Sequence, residues 1–339
     1  MVKLIIDCFG GDHSPMANID GALSALASNH DISLILTGDA KIISDYLSGK
    51  EYDHSRLEIV DAPEVIGCDE KPTNAIRLKK DSSMIRAIRM LRDDDSIAGM
   101  VSTGSTGALV AASLTRIGRV PGVIRPAFCP ILPTMTGGLV GVCDSGANMV
   151  VTADHLRQFA IMASLYMENV CGVQKPRVAL LNVGKEAGKG DDVRQMAYKL
   201  LSETPEINFV GNMESRDLLS GDYNVVVADG FSGNVLLKTT EGTAVELMKK
   251  VKETIFSRTI YKIGALFMKK MFLDLRQLMN YHNHGGSVLL GTSKVVVKGH
   301  GSSNAVAVEK CIDQAYRMHV SSLSAKMEEI ILKYEHYDA

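Results

Sequence analysis

Residues 98–108 read AGMVSTGSTGA: an apolar segment, then a loop of Gly, Ser and Thr, then the start of an Ala- and Leu-rich segment. This order predicts a buried strand, a tight loop and a helix. Small residues let backbone N–H groups approach phosphate oxygens, hydroxyls add donors, and a helix N-terminus carries about half a positive charge. Because Ser or Thr can cap a helix without any ligand, phosphate binding and simple capping both stay open. The candidate phosphate-binding residues here are Ser102, Thr103, Gly104, Ser105, Thr106 and Gly107.

Similar aliphatic runs recur along the chain. They are VKLIID at 2–7, ISLILTG at 32–38, LEIVDAP at 57–63, RVALLNVG at 177–184 and YNVVVADG at 223–230. Near-continuous apolar runs followed by helix-length segments are typical of parallel strands joined by crossover helices. Helical spacing of apolar residues predicts helices over 82–93 and 155–170. We therefore expect a doubly wound α/β fold, with ligands at the carboxyl ends of its strands.

The composition excludes several classes of protein. Of 339 residues, 46 % are apolar and 22 % charged, and 37 Lys and Arg against 39 Asp and Glu give a net charge of −2. This excludes a disordered chain and a basic nucleic-acid binder. The six cysteines form no C-x-x-C pair, which predicts reduced thiols. No signal peptide and no apolar run near the ~20 residues that span a bilayer are visible, so we expect a cytoplasmic protein.

The sequence contains no feature that marks a boundary between domains. No repeat, low-complexity tract or Pro- and Ser-rich linker interrupts it. We expect residues 1–339 to form a single α/β domain, with a helical protrusion at about 240–285.

A second glycine-rich loop, NVGKEAGKG at 182–190, also follows a predicted strand. It is not a Walker A motif, because Val183 stands where the first glycine is required and Gly190 follows Lys189 in place of Ser or Thr. A solvated surface loop is the alternative to an anion site. If the loop binds an anion, the candidate residues are Asn182, Gly184 and Lys189.

A third loop, DGFSGNVLLK at 229–238, turns from a strand into a helix. Asn234 in the first helical turn can donate a hydrogen bond to an oxyanion, although capping or turn formation is its ordinary role. The candidates here are Asp229, Gly230, Gly233 and Asn234.

A fourth loop, GHGSSN at 299–304, nearly matches a dinucleotide fingerprint. Asn304 replaces its third glycine, and too little chain follows for a βαβ unit, so NAD is rejected and no cofactor is predicted. His300, Gly301 and Ser302 are candidate anion contacts, with a structural histidine as the alternative.

Two acidic loops stay ambiguous. DCFGGDHSP at 7–15 suits acid–base or metal chemistry, or helix capping, and no metal site is assigned to it. In CDSGAN at 143–148 the candidates are Asp144 and Asn148, while Cys143 is interpreted as a core residue in preference to a nucleophile.

Together these loops are closely similar to the phosphate acyltransferase family of bacterial phospholipid synthesis. The resemblance spans about residues 2–320. It is carried by the motifs above and by APEVIGCDEKP at 62–72, KKDSSM at 79–84 and GGSVLLG at 285–291. The chain departs from the family at three positions. Family members often carry Asn in place of Ser105, Ala in place of Cys8 and Glu in place of Lys185, which puts side-chain roles at these positions in doubt.

The resemblance implies a three-layer sandwich like those of phosphotransacetylases and isocitrate dehydrogenases, a homodimer, and synthesis of acyl phosphate from acyl carrier protein thioester and inorganic phosphate. A membrane glycerol-phosphate acyltransferase would then use the product. The resemblance does not by itself identify catalytic residues, and the reaction's chemistry makes Asn234, Lys189 and His300 the catalytic candidates. A coenzyme A-dependent short-chain phosphotransacylase and a non-catalytic membrane adaptor are the alternatives.

Residues 255–276 combine apolar and basic side chains, the latter being Arg258, Lys262, Lys269, Lys270 and Arg276. Such a segment suits an anionic membrane surface, where each nearby cation contributes about 1 kcal/mol. It equally suits the acidic carrier protein or a dimer interface. We expect peripheral association with the inner face of the plasma membrane.

Overall fold

The computed structural model describes residues 1–67, 69–272 and 285–334. Its strands are β1 (Val2–Asp7), β2 (Ile32–Gly38), β3 (Leu57–Asp61), β4 (Ile97–Ser102), β5 (Ala127–Cys129), β6 (Ile131–Pro133), β7 (Leu139–Cys143), β8 (Arg177–Asn182), β9 (Asn208–Glu214), β10 (Val225–Val227), β11 (Ser287–Leu290) and β12 (Val295–Lys298). Its α-helices are α1 (Met16–Ser28), α2 (Ala40–Leu47), α3 (Pro72–Leu78), α4 (Ser83–Asp93), α5 (Thr106–Arg116), α6 (Ala153–Asn169), α7 (Asp192–Ser202), α8 (Gly230–Phe256), α9 (Thr259–Phe267), α10 (Ala305–Val320) and α11 (Leu323–Ile331).

The strands form two sheets. The first has the order β3-β2-β1-β4-β12-β11-β5, and β11 runs antiparallel to both of its neighbours. The second has the order β6-β7-β10-β8-β9, with only the edge strand β6 antiparallel. The predicted α/β class is thus present, but the predicted strands are divided between two sheets.

Both faces of the first sheet are buried, which explains its continuous apolar runs. Leu4 and Ile6 belong to one apolar cluster, and Ile5, which lies between them, belongs to another on the opposite face. Successive side chains of a strand point to opposite faces, so a strand with helices on both sides needs apolar residues at every position.

One apolar cluster extends through both sheets, with α6 packed at its centre. Phe159 and Tyr166 of α6 are fully buried in it, together with strand residues such as Val288 of the first sheet and Val225 of the second. The chain crosses between the sheets at Pro130, which separates β5 from β6. The two sheets are therefore held by a shared core as well as by the chain itself.

Most of α8 and all of α9 fall within the segment of about 240–285 that is predicted to protrude. Beyond Leu237, no residue of α8 is buried, and α9 has no buried residue at all. Leu273 and Arg276 of the predicted basic segment lie outside the described residues, as does Cys68. In the described ranges, no helix is both long enough and apolar enough to cross a bilayer.

The start of α8 lies directly against the loop after β7. A Cβ atom added to Gly233 would lie 1.9 Å from the carbonyl oxygen of Asp144, whereas one added to Gly242 in the same helix would meet no atom of the other described residues within 4 Å. These two glycines therefore form a matched pair for testing the contact.

We expect Gly233→Ala to lower the free energy of unfolding by about 1–3 kcal/mol, the usual effect of overpacking. Gly242→Ala should raise it by about 0.5–1 kcal/mol, because alanine favours a helix interior. Denaturant unfolding of both variants beside the parent protein measures this. Equal effects of the two substitutions would show that α8 does not pack as described.

Candidate active site

Three loops meet where β1, β4 and β12 end. The Asp12 N–H donates to the Gly301 carbonyl at 2.8 Å, and the Gly299 N–H donates to the Ser102 carbonyl at 2.9 Å. A Cβ atom on Gly10 would lie 2.4 Å from the backbone nitrogen of Gly104. The carboxyl ends of adjacent parallel strands thus bring together segments that are about 90 and 200 residues apart in sequence.

The hydroxyls of Ser102 and Thr103 hold these loops in place. The Ser102 hydroxyl donates to Asp7 Oδ2 at 2.6 Å and accepts from the Gly104 N–H at 3.1 Å. The Thr103 hydroxyl donates to the Gly10 carbonyl. Both side chains are almost fully buried, so their role in the structure is to shape the loop that leads into α5.

Asp7 is a buried carboxyl group beneath this loop. Burial raises its pKa above the ordinary value, although hydrogen bonds from Ser102 and Ser83 and the nearby charge of Lys298 act in the opposite direction. In the described part of the chain, no donor meets its buried Oδ1 atom at hydrogen-bond geometry. The proton therefore stays on Asp7 to a higher pH than on an exposed aspartate.

Asp144 has a comparable position in the second sheet. Its buried carboxylate accepts from the N–H groups of Phe128 and Asn148, at 2.9 and 2.6 Å, and from the Asn148 amide at 3.0 Å. The Asn148 side-chain amide also donates to the Pro126 carbonyl, and the Asn148 backbone carbonyl accepts from the Gly230 N–H. These two residues hold together the loops that support the start of α8.

Asp229 caps α8 by accepting from the Ser232 N–H at 2.8 Å. Burial acts to raise its pKa, but the hydrogen bonds from Ser232 and the charge of Arg194 outweigh this, so the pKa is lowered. Arg194 of α7 forms ion pairs with both Asp229 and Asp191. It therefore connects the loop after β8, which contains Asp191, to the loop after β10, which contains Asp229.

The cleft between the two sheets has a volume of about 200 Å³. On the side of the first sheet it is lined by Thr106, Lys298, His300, Gly301 and Ser303. Ser145, Asn234, Lys238 and Glu241 line it from the second, and the β5–β6 corner and Leu237 add apolar surface. A cation, a helix N-terminus and several hydrogen-bond donors thus face one space, which suits a bound anion.

His300 is exposed at the mouth of this cleft. Its Nδ1 atom lies 2.8 Å from the Ser302 hydroxyl and accepts from the Ser302 N–H at 3.3 Å. Because Nδ1 accepts, a neutral His300 ring carries its proton on Nε2. Ser302 therefore fixes the orientation of His300.

The structure brings together only part of the predicted set. Thr106, Asn234, His300 and Gly301 line the cleft. Ser302 orients His300. The walls of the cleft are formed or supported by Ser102, Thr103, Gly104, Ser105, Gly107, Asp144, Asn148, Asp229, Gly230 and Gly233.

The loop after β8 does not contribute to the cleft lining. Asn182 donates to the Lys189 carbonyl at 3.0 Å and accepts from the Val183 N–H, so it orders its own loop, and Gly184 is buried within that loop. Lys189 is exposed. Its predicted contact with phosphate stays a prediction.

Sequence reasoning missed Lys298, Ser303, Ser145, Lys238 and Glu241 as cleft residues. Lys298 could have been found, because a lysine that ends the apolar run VVVK is placed at the carboxyl end of a buried strand. In the part of the chain that the structure describes, no His, Cys, Asp and Glu side chains are grouped so as to hold a metal ion. Burial raises the pKa of Cys143 well above its ordinary value, as expected of a core thiol.

Known proteins match both the sequence and the geometry. The model of the family described as "Fatty acid synthesis protein" matches residues 2–326. The chain belongs to this family. A relative from Exiguobacterium sp. strain AT1b is 45 % identical over 93 % of this chain and 94 % of its own length, and one from Streptococcus uberis is 43 % identical over 98 % of each. Both are named phosphate acyltransferase, so the predicted family is confirmed, and with it the prediction of an acyltransferase.

Solved structures confirm the fold class of this fatty acid synthesis family member. A phosphotransacetylase from Streptococcus pyogenes superposes with a TM-score of 0.62 at 16 % identity, covering 94 % of each chain. A EutD phosphotransacetylase from Staphylococcus aureus gives a TM-score of 0.57 at 16 % identity, covering 95 % of this chain and 94 % of its own. The expected three-layer architecture is therefore present.

The raised pKa of Asp7 predicts a pH-dependent stability. Because the folded protein binds this proton more tightly than the unfolded chain, the free energy of unfolding should fall relative to that of Asp7→Asn as the pH rises above 3.8. The difference should level off once Asp7 is ionised in the folded state. Asp229→Asn is the control, since a lowered pKa gives the opposite sign. Denaturant unfolding at several pH values measures both, and parallel curves for Asp7→Asn and the parent would contradict the assignment.

Proposed function

We propose that the protein transfers a long-chain acyl group from the thioester of acyl carrier protein to inorganic phosphate, releasing acyl phosphate and free carrier protein. A phosphate oxygen attacks the thioester carbonyl carbon and forms the new C–O bond. The carbonyl oxygen carries the negative charge of the tetrahedral intermediate. The C–S bond then breaks, and the departing thiolate takes up a proton.

The observation that carries this proposal is the convergence of the α5 N-terminus and Asn234 on one cleft between the sheets. Phosphate is already a nucleophile near neutral pH, and a thiol with a pKa of about 8.5 is an adequate leaving group. Positioning and oxyanion stabilisation are therefore the contributions that the reaction needs most. No covalent intermediate on the enzyme is required.

Several cleft residues have a role in this scheme. The backbone N–H groups at the start of α5 bind phosphate, with His300 as a further donor. The Asn234 amide donates to the carbonyl oxygen as its charge develops. Leu237 and the β5–β6 corner, which also line the cleft, accommodate the first part of the acyl chain. Lys189 is proposed as an additional contact with the anion.

The acyl donor distinguishes this proposal from its main alternative. The purified protein should form acyl phosphate from palmitoyl carrier protein and phosphate, without added metal, faster than it forms acetyl phosphate from acetyl-coenzyme A. The reverse preference would identify a short-chain phosphotransacylase. Complete inactivity with retained vesicle binding would favour an adaptor.

The α8–α9 pair supports a proposed membrane contact. Phe267 is 89 % and Leu266 72 % exposed, and an apolar groove of about 470 Å³ between the helices is bordered by Lys252, Lys262 and Lys269. Basic and apolar side chains together bind anionic lipid surfaces. Acyl phosphate is a reactive mixed anhydride, so release at a membrane would favour transfer to a glycerol-phosphate acyltransferase. The same surface could instead mediate the homodimer that the resemblance implies, and the vesicle experiment below separates these cases.

We expect Asn234→Ala to lower kcat by about 100-fold or more, the usual effect of removing an oxyanion donor. Val235→Ala is the matched control, because Val235 lies in the same helical turn, is 48 % exposed and does not line the cleft. Steady-state assays of acyl phosphate formation and thermal unfolding measure both variants. An unchanged rate for Asn234→Ala would exclude this residue from the reaction.

We also expect the double variant Leu266→Glu and Phe267→Glu to lose co-sedimentation with anionic phospholipid vesicles. Leu78→Glu with Val150→Glu is the control, since these residues are 69 % and 89 % exposed elsewhere and the added charge is the same. Vesicle binding equal to the parent would count against the membrane contact. Size-exclusion chromatography with light scattering shows whether the α9 variant changes the oligomeric state instead.

A further inference from the structure

Lys298 is a buried cation at the end of an apolar strand. The residue is 8 % exposed and follows Val295, Val296 and Val297 of β12, which are all buried. Lysine is rarely buried to this extent, because removing an ammonium group from water costs free energy unless other groups compensate. The strand itself does not require a charged residue at this position.

The side chain of Lys298 joins two of the loops that form the cleft. Its Nζ atom donates to the Thr103 carbonyl at 3.3 Å and to the Gly299 carbonyl. Thr103 belongs to the loop before α5, and Gly299 begins the loop that carries His300. Lys298 therefore fixes these two loops relative to each other.

Lys298 also lines the cleft itself, on the same side as Thr106 at the N-terminus of α5. Of the other charged residues in the lining, Lys238 and Glu241 form an ion pair with each other at 2.6 Å. Lys298 places a positive charge near the N-terminus of α5, which carries about half of one.

We propose that Lys298 binds the acceptor phosphate and at the same time holds the α5 loop in the geometry that receives it. This inference rests on the proposed function, since it assumes that phosphate occupies the cleft beside α5. A purely structural clamp between two loops is the alternative, and it predicts a loss of stability with no selective effect on phosphate.

Lys298→Met removes the charge and retains the length of the aliphatic chain. We expect the KM for phosphate to rise at least 10-fold, while the KM for acyl carrier protein changes less than threefold. The matched control is Lys294→Met. Lys294 immediately precedes β12, bonds to Asp95 with 21 % of its side chain exposed, and lies roughly 13 Å along the strand from Lys298. Lys294→Met should leave both KM values unchanged.

Equilibrium binding gives a second measurement that needs no turnover. Inorganic phosphate alone should raise the Tm of the parent protein and of Lys294→Met, and should have little effect on Lys298→Met. If Lys298→Met does not fold, Lys298→Arg provides the test. It retains the charge but not the shape of the ammonium group, and should raise the KM for phosphate several-fold.

The inference is overturned if Lys298→Met retains the parent KM for phosphate and the parent Tm shift, or if it raises both KM values equally. If Lys298→Met does not fold, an unchanged KM for phosphate in Lys298→Arg overturns the inference. Failure of the proposed function would differ from these outcomes: the parent would form no acyl phosphate, yet its phosphate-induced Tm shift would still depend on Lys298.

Discussion

The contact between the loop after β1 and the loop after β4 is the constraint on which the cleft depends. No side chain fits between Gly10 and Gly104, and the buried Asn18 amide donates to the carbonyls of Asp7, Cys8 and Gly10 at 3.0–3.1 Å. The loop before α5 rests on this assembly. The direction in which the N-terminus of α5 points is therefore determined before any ligand is present, as electrostatic stabilisation of a reaction requires.

Both halves of the cleft are built on the same principle. A carboxyl group at the end of a strand is buried under a loop, Asp7 in the first sheet and Asp144 in the second, and burial raises the pKa of each. Each accepts hydrogen bonds from groups of the surrounding loops, so much of the unfavourable burial is offset by fixed donors. These carboxyl groups orient the helix termini and do not themselves line the cleft.

The fold class and the position of the candidate site could be predicted from the sequence because both depend on local patterns. β1 and β2 have their predicted boundaries, and the loop after β12 and the helices that follow β4 and β10 line the cleft. The division into two sheets could not be predicted, because strands of both sheets are equally apolar and β5 and β6 have three residues each. The roles within the site also depend on distant pairings. Ser102 donates to Asp7, 95 residues away, and does not line the cleft, whereas Lys298 lines it at the end of β12, which lies beside β4.

The same helix that presents Asn234 to the cleft also leads to the exposed apolar segment. With 27 residues, α8 spans roughly 40 Å, so its two ends act in different surroundings while forming one rigid element. The first end is fixed by the Asp229 cap and by the close contact of Gly233 with Asp144. Attachment of the distal end to a surface would therefore orient the whole cleft relative to that surface. A near-zero net charge is compatible with this arrangement, because the cations beside the apolar groove are balanced by acidic residues elsewhere in the chain.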